Sequence, residues 1–343
     1  MKIDLTETTS SKINQALVSA RRAIGTPAIG MVLTLVIVTD EENAYDALKS
    51  AGDASREHPS RIIAVIKRVS RSPRARRDAR LDAEVRVGSD AGTGETVVLR
   101  LHGELANHAQ SVVLPLLLPD APVVVWWPDD APADAAKDPL GALAQRRITD
   151  GYSAERPLDE LAVRAATYSP GDTDLSWTRI TPWRSMLAAA LDQQPAEVIG
   201  ATVEGESDNP SCELLAMWLA DRLGVPVERT YSGGPGLTAV RMETKNGVIV
   251  LDRADGSLAT LSMHGQPDRA VALKRRDTAE LLAEELRRLD PDNTYESAVK
   301  FGVAKLHAGG EVEAAAVAEK KSAEAEQQAP AAKKAPTKKA AAK

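Results

Sequence analysis

Residues 31–38, MVLTLVIV, are apolar at every position but one. A strand of that kind can turn neither face to water, so it predicts an internal strand in a sheet covered by helices on both sides. Residues 61–69 (RIIAVIKRV) and 123–127 (VVVWW) read as further buried strands. Apolar residues at three-to-four spacing predict helices over 12–24, 41–55 and 157–167, the last opening on a proline. Residues 81–87 and 96–103 read as an antiparallel pair turning at Gly92-Thr93-Gly94, and 108–118 as a short helix ending at Pro119. The mixture is that of an α/β fold.

A polar, turn-rich break at 168–174 (YSPGDTD) divides the chain into an N-terminal α/β domain over 1–170 and a C-terminal α+β domain over 171–308. In the second, Thr181 caps a helix whose first residue is Pro182 and which places Trp183, Leu187, Ala190 and Leu191 on one face. A strand over 197–203 precedes a helix starting at Asn209-Pro210, with Leu215, Trp218, Leu219 and Leu223 as its apolar stripe. Short strands follow between 225 and 274, with hairpin signals at Asn246-Gly247 and Asp255-Gly256, and then helices over 277–289 and 294–306. Each domain is thus expected to be a mixed sheet with flanking helices. After Gly309-Gly310 the chain has almost no large apolar side chains, which predicts a disordered tail over 309–343.

The composition excludes several classes of function. With 343 residues, 43% of them hydrophobic, the chain suffices for two cores, and a net charge of −6 gives no global attraction to nucleic acid or anionic lipid. The most apolar stretch, 111–127, is broken by Pro115, Pro119, Asp120 and Pro122, and the N-terminus lacks the apolar run of an export signal, so a cytoplasmic protein without membrane contact is expected. Cys212 is the single cysteine, which excludes an internal disulfide and a site of several thiolates. The glycines of 232–236 (SGGPG) lead into a strand rather than a helix, so they mark a turn and not a phosphate cradle. His58, His102, His108, His264 and His307 are scattered, and no G-x-S-x-G nucleophile turn is present. No cofactor is expected. The basic run over 68–80 lacks aromatic platforms and reads as a solvated linker or a patch for an acidic protein, so nucleic acid is disfavoured.

Four of the five tryptophans fall in two short runs, Trp126 and Trp127 in VVVWWP and Trp177 and Trp183 in SWTRITPWR, within a chain of 3% aromatic content. Bulk for a core poor in phenylalanine is one reading of them, and anchoring a partner alongside arginine is the other. The strand pleat sends Trp126 and Trp127 to opposite faces. Arg179 shares a side with Trp177 if 176–180 is extended, and Arg184 opposes the dipole of its own helix, which calls for a nearby carboxylate or a partner.

The same runs carry a resemblance. HPSRIIAVI from His58, LPDAPVVVWWP from Leu118 and DLSWTRITPWR from Asp174 resemble, in order and spacing, the signature stretches of the OpcA-type glucose-6-phosphate dehydrogenase assembly proteins. The likeness covers roughly the first 305 residues. It implies a non-enzymatic protein that promotes assembly or activity of glucose-6-phosphate dehydrogenase, the NADP-linked entry to the oxidative pentose phosphate pathway. Cysteine-based redox control, associated with some members, has no internal pair here. His58, Arg61, Trp126, Trp127, Trp177, Arg179, Trp183 and Arg184 are then the candidate partner-binding residues. The competing reading is an enzyme or sensor for a sugar phosphate, with His58, Arg61, Arg179 and Arg184 as anion ligands. Nucleic-acid binding through the basic run ranks third.

Overall fold

The computed structural model of the chain describes residues 1–25, 30–68, 79–88, 94–193 and 195–302. Most of the basic run, the first two residues of the Gly92-Thr93-Gly94 turn, the end of the last helix and the tail lie outside the described residues.

The fold is mixed α/β, built on two mixed sheets. The first has eight strands in the order β1-β4-β5-β3-β2-β6-β7-β8. At its centre β2 (Leu33–Thr39) is buried at all seven positions and runs parallel to β3 (Ser60–Arg68) and β6 (Val123–Trp126). Its two faces meet different helices, as the apolar run requires. Val36 and Val38 share a core with Ile13 and Leu17 of α1 (Ser10–Ile24). Leu35 and Ile37 share another with Ala47 and Ala51 of α2 (Ala44–Ala54). The strands β4 (Arg80–Val87) and β5 (Glu95–His102) pair antiparallel as expected, and β1 (Lys2–Leu5) adds an outer strand.

Three differences from the sequence reading have local causes. Strand β7 (Arg146–Thr149, RRIT) and strand β8 (Asp172–Asp174, DTD) extend the first sheet, their polar residues concealing a buried pattern. Residues 176–180 are not extended. The Asp174 carboxylate accepts the Ser176 amide at 2.8 Å and so caps a short helix, α4 (Leu175–Arg179), which follows α3 (Pro157–Thr167). Residues 108–118 form only a five-residue α-helical piece, Ala109–Val113, flanked by 3-10 turns, because Pro115 lacks the amide to continue it.

The strands β9 (Val198–Gly205), β10 (Val227–Tyr231), β11 (Leu237–Thr244), β12 (Gly247–Asp252), β13 (Leu258–Met263) and β14 (Arg269–Ala272) form the second sheet, in the order β10-β9-β11-β12-β13-β14. Helices α5 (Thr181–Gln193) and α6 (Pro210–Leu223) cover one face, where Leu187, Leu214 and Leu215 pack on Val203, Val240 and Leu251. On the other face Val248, Leu258 and Thr260 are exposed. The chain then returns. Helix α7 (Thr278–Arg287), held by an Asp277–Glu280 capping box, inserts Leu281, Leu282 and Leu286 into the core beneath β2 of the first sheet. A final helix over 293–302 contributes Tyr295 and Val299 to the core of the second.

Candidate functional site

Where the two sheets meet, the run from Asp174 to Arg184 forms a seam of charged and aromatic pairs. Asp174 is fully buried at the carboxyl end of β8 and accepts from the Thr149 hydroxyl at 2.6 Å and the Gly151 amide at 2.9 Å. Burial and the neighbouring Asp150 push its pKa up. Asp150 in turn holds the Arg179 guanidinium through two hydrogen bonds of 2.6 and 2.7 Å, and that guanidinium lies 5.2 Å from the centre of the Tyr152 ring. Two residues before Arg179, Trp177 donates its indole N–H to Asp292 at 2.8 Å. The Arg184 guanidinium stacks 3.6 Å over the Trp177 ring. Burial lowers the Arg184 pKa to about 10 despite the nearby carboxylates of Asp292, Glu284 and Glu285.

The returning helix α7 closes the seam. Its Glu285 accepts from Arg146 of β7 and, at 2.7 Å, from the Thr178 hydroxyl. Arg276, just before the helix, donates to the Thr178 carbonyl and to Glu284. Arg253 lies 5.0 Å from the Trp183 ring. Buried charges that are paired or hydrogen-bonded in this way fix one relative placement of the elements that carry them, because separating any pair strands a charge.

The structure brings together four of the eight residues singled out from sequence: Trp177, Arg179, Trp183 and Arg184. The other four lie in the first sheet or in the segments beside it. Trp126 and Trp127 do point to opposite faces, but each enters a core, Trp126 beside α2 and Trp127 beside α1. Arg61, at the amino end of β3, is buried against Glu95 at 2.8 and 3.0 Å and against the Leu116 carbonyl at 2.7 Å, with Arg21 on the other Glu95 oxygen. His58 sits half-buried in the connection leading to β3. These residues therefore form no joint anion site, and all four tryptophans are interior rather than exposed anchors. Sequence reasoning missed Asp150, Glu285, Asp292 and Arg253, the partners of the tryptophans and arginines. The one signal available was Arg184 itself, whose place in a first helical turn required a carboxylate nearby.

A second region tests for nucleotide chemistry. The chain passes from β2 to β3 on one side and later crosses from β5 to β6 on the other, so the crevice at the carboxyl ends of β2 and β6 is the switch point where open α/β sheets take ligands. Here the chain leaves β2 as Asp40-Glu41-Glu42-Asn43 and leaves β6 toward Asp129-Asp130. The cleft is lined by Thr39, Asp40, Asp129, Asp130 and Asp138, with Lys67 as its cation. Burial raises the Asp129 pKa, offset by a 2.6 Å hydrogen bond from Asn43 and reinforced by Asp40. A pyrophosphate needs glycines and free amides at this place and would meet carboxylates instead. Among the described residues, no group of three or more His, Cys, Asp or Glu is arranged to hold a metal, and no helix is long and apolar enough to cross a membrane.

Comparison with known proteins gives the following. Residues 51–166 match the family described as the glucose-6-phosphate dehydrogenase subunit N-terminal domain, of the OpcA assembly type, and residues 170–299 match the corresponding C-terminal domain. A curated relative from Synechocystis, described as a putative OxPP cycle protein OpcA, is 27% identical over 150 residues, 41% of this chain and 32% of the relative. The match thus spans about a third of that relative's length. Among solved structures, a 3-ketoreductase from Actinomadura kijaniata with bound NADP is 12% identical, covering 79% of this chain and 94% of its own, at a TM-score of 0.44. Biliverdin reductase from Synechocystis is 11% identical, covering 81% and 98%, at 0.38. Scores this low carry no argument about chemistry.

Proposed function

The chain belongs to the OpcA family of glucose-6-phosphate dehydrogenase subunits, and from that premise we propose that it is a non-enzymatic assembly factor or activator of the dehydrogenase, acting by direct protein contact. The observation that carries the non-enzymatic part is the acidic switch point: the place where a sheet of this topology would hold a nucleotide offers Asp40, Asp129 and Asp130 in place of a glycine-rich turn. A protein that activates another must bind one of its states more tightly than the other, since equal affinity shifts nothing.

The seam is the surface we assign to that contact. Its tryptophans are internal, so they serve by holding its shape, while Arg179 and Arg184 are partly exposed at its rim. The division into two units near residue 170 is supported by the gap between the matched domains and by the change of sheet after Asp174. A cytoplasmic location, and the absence of membrane and nucleic-acid partners, belong to the same proposal and are supported by the net charge of −6.

Co-purification with the dehydrogenase, followed by sizing of the complex and assay of its activity, tests the reading. The wild-type chain should co-elute and raise activity. Arg184→Ala should weaken binding by about thirtyfold, the loss of a hot spot of about 2 kcal/mol, with cooperative unfolding retained. A wild-type chain that neither co-elutes with the enzyme nor alters its activity overturns the proposal.

A further inference from the structure

Between α4, α5 and the second sheet lies a small cleft of about 70 Å³, room for a phosphate-sized group, whose lining charges are all of one sign. Arg179, Arg253, Lys274, Arg275 and Arg276 line it, and no carboxylate does. Three of these cations are already neutralised from outside the cleft: Arg179 by Asp150, Lys274 by Glu280 and Arg276 by Glu284. Arg253 and Arg275 form no ion pair among the described residues. Arg253 is the telling one. It is only 5% exposed, its two terminal nitrogens donate to the Leu237 and Leu273 carbonyls at 2.8 Å, and its Nε has no partner.

A buried guanidinium without a counter-ion is costly, and a second one beside it makes the site more so. Burial and the Arg275 charge both pull the Arg253 pKa down. Arg275 itself is exposed, packed over Gly236 and Gly256. Gly236 has a φ of +67°, which favours glycine at this turn, and a Cβ there would be in ordinary contact with the Arg275 Nε at 3.9 Å, so the turn lies directly beside the guanidinium. Asn209 and Ser211 bring the amino end of α6 to the same wall, adding its partial positive charge.

We propose that this cleft binds a phosphate monoester dianion, with Arg253 at its base and Arg275 at its mouth. Two guanidiniums that no carboxylate contacts directly, with Glu206 acting on Arg275 and Asp255 on Arg253 only from a distance, match the charge of about −2 that a phosphate monoester carries near neutral pH, whereas one carboxylate supplies half of it. The Tyr152 ring and the side chains of Ile180 and Leu237 offer an apolar wall for the carbon skeleton of a phosphorylated small molecule. The cleft lies on the seam, so its occupant would bridge Arg275 of the second sheet's margin to elements that pack on the first. This ligand site goes beyond the assembly role and is measured without the dehydrogenase, so either proposal can fail alone.

Calorimetric titration of the full chain with inorganic phosphate and, separately, with glucose 6-phosphate, at ionic strength matched with chloride, tests the site. One saturable site per chain is expected, weakened about tenfold in Arg275→Ala, whose unliganded melting temperature should equal wild type because the side chain is exposed. Arg253→Met, with its fold checked by circular dichroism, should abolish binding. Tighter binding of glucose 6-phosphate identifies a phosphorylated sugar as the ligand class, and equal binding identifies the phosphate group alone. No saturable binding of either probe, equal competition by acetate, or undiminished binding in Arg275→Ala overturns the proposal.

Discussion

Asp150 and Arg179 face each other across the seam with two parallel hydrogen bonds, one from each terminal nitrogen, and Asp150 is almost completely shielded from water. The geometry is that of a bidentate pair, in which the planar fork of arginine matches both carboxylate oxygens. Asp174 lies close enough to raise the stakes, since two carboxylates here depend on one guanidinium. Arg179→Ala should therefore destabilise the chain by about 3 kcal/mol, the cost of leaving a buried carboxylate unpaired. Arg179→Lys should recover part of that, keeping the charge but losing the fork. Urea unfolding of the two variants checks this, and equal stability of Arg179→Ala and wild type would refute it.

The Trp177 indole gives a second test within the same seam. Burial pushes the Asp292 carboxyl up, but the Trp177 N–H, the Tyr295 amide and the Arg184 charge bring it below its ordinary value. A carboxyl depressed in the folded state contributes stability that is present above its unfolded pKa and is lost as the pH falls through the folded one. Trp177→Phe removes one of those donors, so it should cost about 2 kcal/mol at neutral pH. The difference from wild type should shrink below the ordinary carboxylate range, near about pH 4. Denaturation midpoints at neutral and acid pH decide it.

What the sequence made legible was whatever rests on local pattern. The covered strand at 33–39, the helix over Pro157–Thr167 and the opposite faces of Trp126 and Trp127 all follow from periodicity. The three-residue strand of Asp172–Asp174 was not legible, because a polar tripeptide gains its strand geometry from its neighbour β7 alone. Nor was the return of α7 to the first sheet, since its apolar stripe shows that it is buried but not against what. The same limit applies to the site. Trp177 and Arg179 could be marked as unusual, yet their partners Asp292 and Asp150 lie far away in sequence or behind an unrecognised strand. Pairing is a tertiary fact, and one chain without its fold does not display it.

Cys212 should be chemically silent in the native chain. It is fully buried on α6 against Gly205, where its sulfur lies so close that a Cβ on the glycine would stand 2.5 Å from it. Burial pushes the thiol pKa up to about 12, so almost none is thiolate at pH 8. Reaction with an aromatic disulfide reagent should be negligible for the folded chain and rapid, at one equivalent, in guanidinium chloride. Fast stoichiometric labelling without denaturant would show that the helix opens or that the thiol is exposed.

The acidic switch point gives a prediction with the opposite pH sign. Asp129 has its pKa raised, chiefly by burial, with Asp40 and Asp130 adding repulsion that the hydrogen bonds from Asn43 and Thr39 only partly offset. A carboxyl raised in the folded state binds its proton more tightly there than in the unfolded chain. The associated stability is therefore complete below the unfolded pKa and is lost as the pH rises through the folded one. Asp129→Asn removes the titrating charge while its amide oxygen still accepts from Asn43 and its nitrogen can donate to Asp40 or Thr39. The variant should match wild type in acid and become the more stable of the two as the pH rises past the carboxylate range. Calorimetric melting temperatures across that range give the comparison directly. A variant that loses stability at neutral pH would mean that the Asp129 charge is held by a cation or ligand at the crevice, and the repulsive character assigned to the switch point would be wrong.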